Sequence, residues 1–206
     1  MIETGSGAAV TGLPFDLALL FTGHMIDRPG RAQPRFPAQA EARARAAIDE
    51  AVATICHAQI GSTVGLAGAA SGGDLLFHEV CGELGIPTQV LLAKPVAEFV
   101  IESVAPAGPA WERRFYALLA RLDHKNVKCL GATDGLIQGE KDNLWERSNL
   151  WMIQETAALA PERTLLALWD GKASDAPGGT NDFVQLAQRF GIKLAPVIDM
   201  QKLVRS

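Results

Sequence analysis

Thr63-Val64-Gly65-Leu66-Ala67-Gly68-Ala69-Ala70-Ser71-Gly72-Gly73-Asp74-Leu75-Leu76-Phe77-His78-Glu79-Val80-Cys81-Gly82-Glu83-Leu84-Gly85 is the stretch on which the reading of this chain turns. Thr63 to Ala69 is an apolar run of strand length, too continuous for a strand with one wet face. Ala70 to Gly73 contains only small residues and reads as a turn, and Asp74 to Leu84 reads as a helix that Gly85 stops. A buried strand passing through a glycine turn into a helix is the repeating unit of a parallel sheet covered on both faces.

The same unit recurs on either side. Upstream, Phe15 to Phe21 predicts a first strand ending in Thr22-Gly23-His24. The following residues, His24 to Pro37, hold three prolines and three arginines and read as a long loop. Ala38 to His57 then places Ala44, Ile48, Val52 and Ile55 at helical spacing. Downstream, a strand is predicted over Gln89 to Leu92, loop with a short helical piece over Lys94 to Pro109, a helix over Ala110 to Leu122 and a short strand over Val127 to Leu130. Gly131 to Asp142 is polar and glycine-containing; Leu144 to Leu159 reads as a helix with Arg147, Trp151 and Glu155 along one face. A strand over Thr164 to Trp169, a loop over Asp170 to Thr180, a helix over Asn181 to Phe190 stopped by Gly191 and a last strand over Lys193 to Ile198 complete the chain. This alternation predicts an α/β fold, a three-layer α/β/α sandwich around a mostly parallel, doubly wound sheet. At 206 residues we expect a single domain over residues 14–200, with a flexible tail at 1–13, rich in Gly, Ala and Thr, and a short C-terminal tail at 201–206.

Composition narrows the function. A hydrophobic content of 48% with 20% charged residues suits a sheet buried on both faces. The net charge of −4 argues against a general nucleic-acid surface, which must neutralise many phosphates. Cys56, Cys81 and Cys129 form no CxxC pair and read as free thiols, consistent with a cytoplasmic protein. Neither an export signal nor a membrane span is evident.

Three glycine turns carry the chemistry. In open α/β sheets, ligands bind beyond the carboxyl ends of the strands, where backbone N–H groups and helix N-termini favour anions. Ser71, Gly72, Gly73 and Asp74 offer backbone donors, a hydroxyl and a carboxylate, a set suited to phosphate or ribose, or alternatively a tight turn with an Asp cap. Pro177-Gly178-Gly179-Thr180 opens a helix, so its donors and the Thr180 hydroxyl converge on an anion unless Thr180 is only a cap. Thr22, Gly23 and His24 supply the third edge. Arg28, Arg31 and Arg35 concentrate positive charge beside it and are candidates for a phosphate-facing lid. Trp111, Arg113 and Arg114 are candidates for an opposite wall, with Trp111 stacking on a base.

Other chemistries lack their signatures. There is no GxGxxG, no P-loop and no GxSxG elbow. His78 and Cys81 share a helix, but no further His or Cys cluster completes a metal site, and no cofactor is indicated beyond a nucleotide-type ligand.

The order strand–Thr22-Gly23-His24, strand–Ala70-Ser71-Gly72-Gly73-Asp74–helix, the helix bearing Arg147-Ser148-Asn149-Leu150-Trp151-Met152, and strand–loop–Pro177-Gly178-Gly179-Thr180–helix resembles the SLOG superfamily. The resemblance spans roughly Phe15 to Val197. It implies a Rossmann-like fold and a nucleotide or nucleotide-derived ligand, since that superfamily includes lonely-guy phosphoribohydrolases, a DNA-processing protein that loads recombinase, and sensors of nucleotide derivatives. It also implies a phosphate-clamping role for Arg147: Arg147 and Met152 fall where the phosphoribohydrolases carry an Arg-Lys-x-x-Met-like helix, one residue looser here. Gly178, Gly179 and Thr180 match their PGG-and-Thr loop.

The departures bear on catalysis. Those enzymes place a Gly before that Thr and a catalytic Glu three residues after it; here the Gly is missing and the later position is Phe183. Asp182 lies one residue earlier, a rotation of about 100° around a helix, and Glu155 is the other carboxylate available. The expected function is therefore binding or sensing of a nucleotide derivative. The alternatives are N-glycosidic hydrolysis of a nucleotide, with Arg147 orienting phosphate and Asp182 or Glu155 as carboxylate, and binding of single-stranded DNA. Beyond the small molecule, a second copy of the chain or a separate effector protein is compatible with the sequence, though no residue singles either out.

Overall fold

The computed structural model describes residues 12–131, 134–135, 143–173 and 177–205. Most of the predicted N-terminal tail, most of the stretch 131–142 and the middle of the loop 170–180 lie outside them.

Alternation sets the architecture. In β1 (Leu17–Gly23), Leu19 and Phe21 point to one side of the sheet and Ala18 and Leu20 to the other, and all four are fully buried. The same two-sided pattern holds in β3 (Thr88–Leu92) and β5 (Glu162–Trp169). Strands of this kind must be covered on both faces. On the first face lie α1 (Glu41–His57), α2 (Gly73–Glu83), α3 (Val96–Ser103) and α4 (Pro109–Arg121); on the second lie α5 (Leu144–Leu159) and α6 (Thr180–Arg189). Ala44, Ile48 and Val52 of α1 are buried, as their spacing predicts, and the Phe21 and Phe77 rings stack at 4.7 Å to lock α2 onto β1.

With β2 (Thr63–Ala67), β4 (Val127–Cys129) and β6 (Lys193–Leu194), the sheet order is β4-β3-β2-β1-β5-β6, and every pairing is parallel. This is the doubly wound, Rossmann-like α/β/α sandwich expected from the sequence. The chain winds outward from β1 to β4, then returns to place β5 on the free side of β1. The winding reverses between β1 and β5, which is where such sheets open a crevice.

The predicted last strand is corrected. It is split into β6 and β7 (Ile198–Asp199), both paired to β5, with Pro196 between them. Proline has no N–H to give to the ladder, so pairing stops and resumes. Residues read as a C-terminal tail form α7 (Met200–Arg205), whose Met200 is fully buried. Among the described residues, no helix is long and apolar enough to cross a membrane.

His78 shows how strongly α2 is buried. Burial drives its imidazole down to about 4, against the raising effect of the Gly68 carbonyl 2.7 Å from Nε2. A histidine whose folded value is depressed stabilises the fold above its ordinary value of 6.5, and that contribution is lost as pH falls toward 4. Urea unfolding at pH 7 and pH 4.5 is expected to show a loss of stability in the wild type that is smaller in His78→Gln. Equal losses would exclude His78 as the source.

Candidate functional site

A cleft of about 720 Å³ opens at the carboxyl ends of β1, β2 and β3, at the reversal point. Its walls come from every part of the chain that the glycine turns mark. The end of β1 contributes Thr22, Gly23 and His24; the loop after it contributes Arg28, Arg31 and Arg35; the β2 end and the start of α2 contribute Gly68, Ala70 and Asp74. The opposite side is built from Ser148, Asn149 and Met152 of α5 and from Gly178, Gly179, Thr180 and Phe183 at the start of α6.

The second glycine turn is used differently from its neighbours. Ser71, Gly72 and Gly73 do not line the cleft. The Ser71 N–H donates to the Ser103 carbonyl, the Gly73 N–H to the His24 carbonyl, and the Ile26 N–H to the Ser71 carbonyl. Gly72 has φ +111°, and a Cβ there would lie 2.5 Å from the Ile26 nitrogen and 2.7 Å from the His24 oxygen. These glycines let the first loop close against the second.

The loop itself is tied at both ends. The Asp27 carboxylate accepts from the Arg35 and Phe36 N–H groups, each at 2.9 Å, and the Asp27 N–H donates to the Phe36 carbonyl. Phe36 is fully buried in the core. Arg35 donates to both oxygens of Asp170, at 3.0 and 2.8 Å, with only 13% of its side chain and 4% of the Asp170 side chain exposed. Asp170, which sequence reasoning missed, follows β5. Burial pushes its carboxyl up, but hydrogen bonds from Arg35 and the Lys172 N–H, with His24 nearby, outweigh it and hold the group well below the usual carboxylate range. His24 Nε2 lies 3.1 Å from Asp170 Oδ1 and accepts the Asp170 N–H at 3.2 Å. Burial, then the Arg35 charge, lowers the His24 value, against the raising effect of Asp170.

Of the three loop arginines, Arg35 is thus an anchor, and Arg31 pairs with Asp27 at 3.5 Å. Arg28 is exposed at the cleft, and no side-chain hydrogen bond or ion pair joins it to the described residues. Across from these cations lies the start of α6. Gly179 caps the helix without a side-chain bond, and among the described residues the N–H groups of Thr180 and Asn181 have no acceptor. The Thr22, Ser148 and Thr180 hydroxyls also line the cleft without an intramolecular partner among the described residues. Asn149, a second residue that sequence reasoning missed, donates to the Gly178 carbonyl at 2.9 Å and so holds the loop that positions α6. A polar residue buried on α5 beside the apolar Leu150 and Met152 was the available signal.

The other candidates lie elsewhere. Arg147 donates to the carbonyls of Gly131 and Asp134 and does not line the cleft. Asp182 accepts the Gly178 N–H at 2.8 Å, and Glu155 pairs with Lys128 and accepts from the Trp151 indole; neither lines the cleft. The wall predicted from Trp111, Arg113 and Arg114 does not form. Trp111 is buried in the core, with the Arg114 guanidinium 4.0 Å over its ring; Arg114 is bound by Glu79 and Glu41, and Arg113 faces solvent. A tryptophan on the inward face of α4 gains more from burial than from waiting for a ligand.

No protein-family model matches the chain, and no curated protein matches its sequence. Among solved structures, the X-ray structure of DNA processing protein A from Streptococcus pneumoniae aligns at 12% identity and a TM-score of 0.37. The alignment covers 95% of this chain and 62% of that one, so this chain spans less than two thirds of that protein. The similarity is too low to carry a site or a function from one to the other.

Proposed function

We propose that this chain binds a phosphate-bearing, nucleotide-type ligand in the cleft and senses it without turning it over. The observation that carries this reading is the pairing, across one cleft, of Arg28 and Arg31 with the uncapped start of α6 and the unpartnered Thr22, Ser148 and Thr180 hydroxyls. Helix N–H groups and guanidinium forks are the two standard partners of phosphate, and the helix dipole adds to both. Asp182, bound to the Gly178 N–H, and Glu155, bound to Lys128 and Trp151, are both engaged away from the cleft, so neither carboxylate offered by the sequence for N-glycosidic hydrolysis is on its wall. SLOG-type sensing of a nucleotide derivative is the kind of activity this would be.

The test is a thermal-shift and calorimetric panel of AMP, ADP, ATP, NAD, ADP-ribose and cyclic nucleotides, with each mixture analysed for free base. The expected result is ligand-dependent stabilisation with no base released. Arg28→Ala is expected to weaken binding roughly 5- to 10-fold, less at high salt, without changing the melting temperature of the free protein. Base release would overturn sensing in favour of hydrolysis. Salt-sensitive binding of single-stranded DNA with no response to nucleotides would favour the nucleic-acid alternative.

A further inference from the structure

Asp74 is a cleft-lining carboxylate with almost nothing bound to it. It is the second residue of α2, and its side chain turns back over the end of β2, so close that a Cβ on Gly68 would lie 2.6 Å from its Oδ2. It accepts one hydrogen bond, from the Ala70 N–H at a long 3.3 Å. A carboxylate has about four acceptor positions, and among the described residues no cation pairs with this one. The other carboxylate on the cleft, Glu102, is bound by Lys94. Asp74 is half-buried on the cleft wall, so its free acceptor positions are open to a ligand that donates to them.

Its chemistry says which part of a ligand it meets. Asp74 and Gly178 to Thr180 line the same cleft. A carboxylate accepts from hydroxyl and amino donors and repels phosphate, so the group that a ligand sets against Asp74 differs from the one that it sets against the start of α6.

We propose that Asp74 reads a donor-bearing part of the ligand, accepting hydrogen bonds from its hydroxyl or amino groups, so that the cleft selects a molecule that carries both an anion and hydrogen-bond donors. This rests on the nucleotide-binding reading above. In a ribonucleotide the donors are the sugar hydroxyls or an exocyclic amino group of the base.

Burial pushes the Asp74 carboxyl up to about 7, so its acceptor form grows in between pH 6 and 8. The other charged or titratable groups around it are His24 at the end of β1, His78 one turn along α2, Glu102 on α3, and Arg28, Arg31 and Arg35 on the first loop.

The experiment compares wild type, Asp74→Asn and Asp74→Ala by calorimetry with AMP, 2′-deoxy-AMP, IMP and inorganic phosphate, at pH 6 and pH 8, with folding checked by circular dichroism. Asp74→Asn is expected to lose roughly 10-fold or more in AMP affinity while phosphate affinity is unchanged. Wild type should gain more AMP affinity between pH 6 and pH 8 than either variant does, the gain common to all three coming from ionisation of the AMP phosphate. If the wild-type preference for AMP over 2′-deoxy-AMP vanishes in the variants, the donor is the sugar hydroxyl; if the preference over IMP vanishes, it is the amino group. AMP binding that is equal in wild type and both variants overturns the role of Asp74 and leaves the nucleotide reading standing. A wild type that binds none of the four overturns both.

Discussion

Gly72→Ala is expected to destabilise the protein by roughly 2–6 kcal/mol, the sum of a backbone conformation reserved for glycine and an overpacked contact. The φ of +111° and ψ of −129° lie where an L side chain is strained, and the new methyl would meet the Ile26 nitrogen at 2.5 Å and the His24 oxygen at 2.7 Å. Both neighbours are main-chain atoms, so no rotamer change relieves the clash. The first loop must move away from α2, which breaks the Gly73-to-His24 and Ile26-to-Ser71 hydrogen bonds. Total stabilities of 5–15 kcal/mol make this a large fraction of the fold. Gly85→Ala is the control: its φ is +72°, with nothing within 4 Å of the new Cβ, and it is expected to cost about 1 kcal/mol. Urea unfolding of the two variants, together with exchange of the Ile26 and Gly73 amides, checks both the size and the location. Equal losses in the two variants would mean that the close approach to the first loop contributes nothing.

Arg35→Ala is expected to lose about 3–5 kcal/mol, because it leaves the Asp170 carboxylate buried without its bidentate partner. The pair is nearly dry, with Asp170 only 4% exposed, and Asp170 also orients His24 at the cleft. Asp170 has a depressed folded value, so its contribution is present above the ordinary 3.8 and is lost as pH falls through that lower folded value. In the variant the same carboxyl is governed by burial and protonates at higher pH. The gap between wild type and variant is therefore widest at neutral pH and narrows on acidification. Removing both charges, as in Arg35→Met/Asp170→Asn, is expected to cost less than the sum of the single changes. Chemical denaturation at pH 7 and pH 4 measures this, and a gap independent of pH would exclude the ion pair as its cause.

Much of the fold was legible because it is written in local periodicity. Ala44, Ile48 and Val52 recur at the helical period and are buried; Leu17 to Phe21 and Val64 to Ala67 hold no polar side chain and lie in the middle of the sheet. Where local chemistry interrupted the pattern, the reading slipped, as with Pro196 inside an otherwise apolar terminal strand. The site was legible in outline only. The glycine turns at the end of β1 and before α6 mark the cleft, yet the Gly72-Gly73 turn before α2 closes on the protein's own loop.

The sequence by itself determined that this chain alternates buried strands with amphipathic helices and that small-residue turns follow the strands, because backbone geometry repeats every two or 3.6 residues and glycine alone permits certain turns. It did not determine which polar groups would be spent on one another. Arg35 and Asp170 stand 135 positions apart and meet because β1 and β5 pair in register from Leu17 and Glu162 to Gly23 and Leu168. Only that pairing decides that Arg35 is an anchor while Arg28 faces the cleft. The packing of α5 and β4 likewise leaves Glu155 paired with Lys128, while Asp74 is left with a single weak partner. A side chain's partner depends on the three-dimensional approach of distant segments, and no period in the sequence records it.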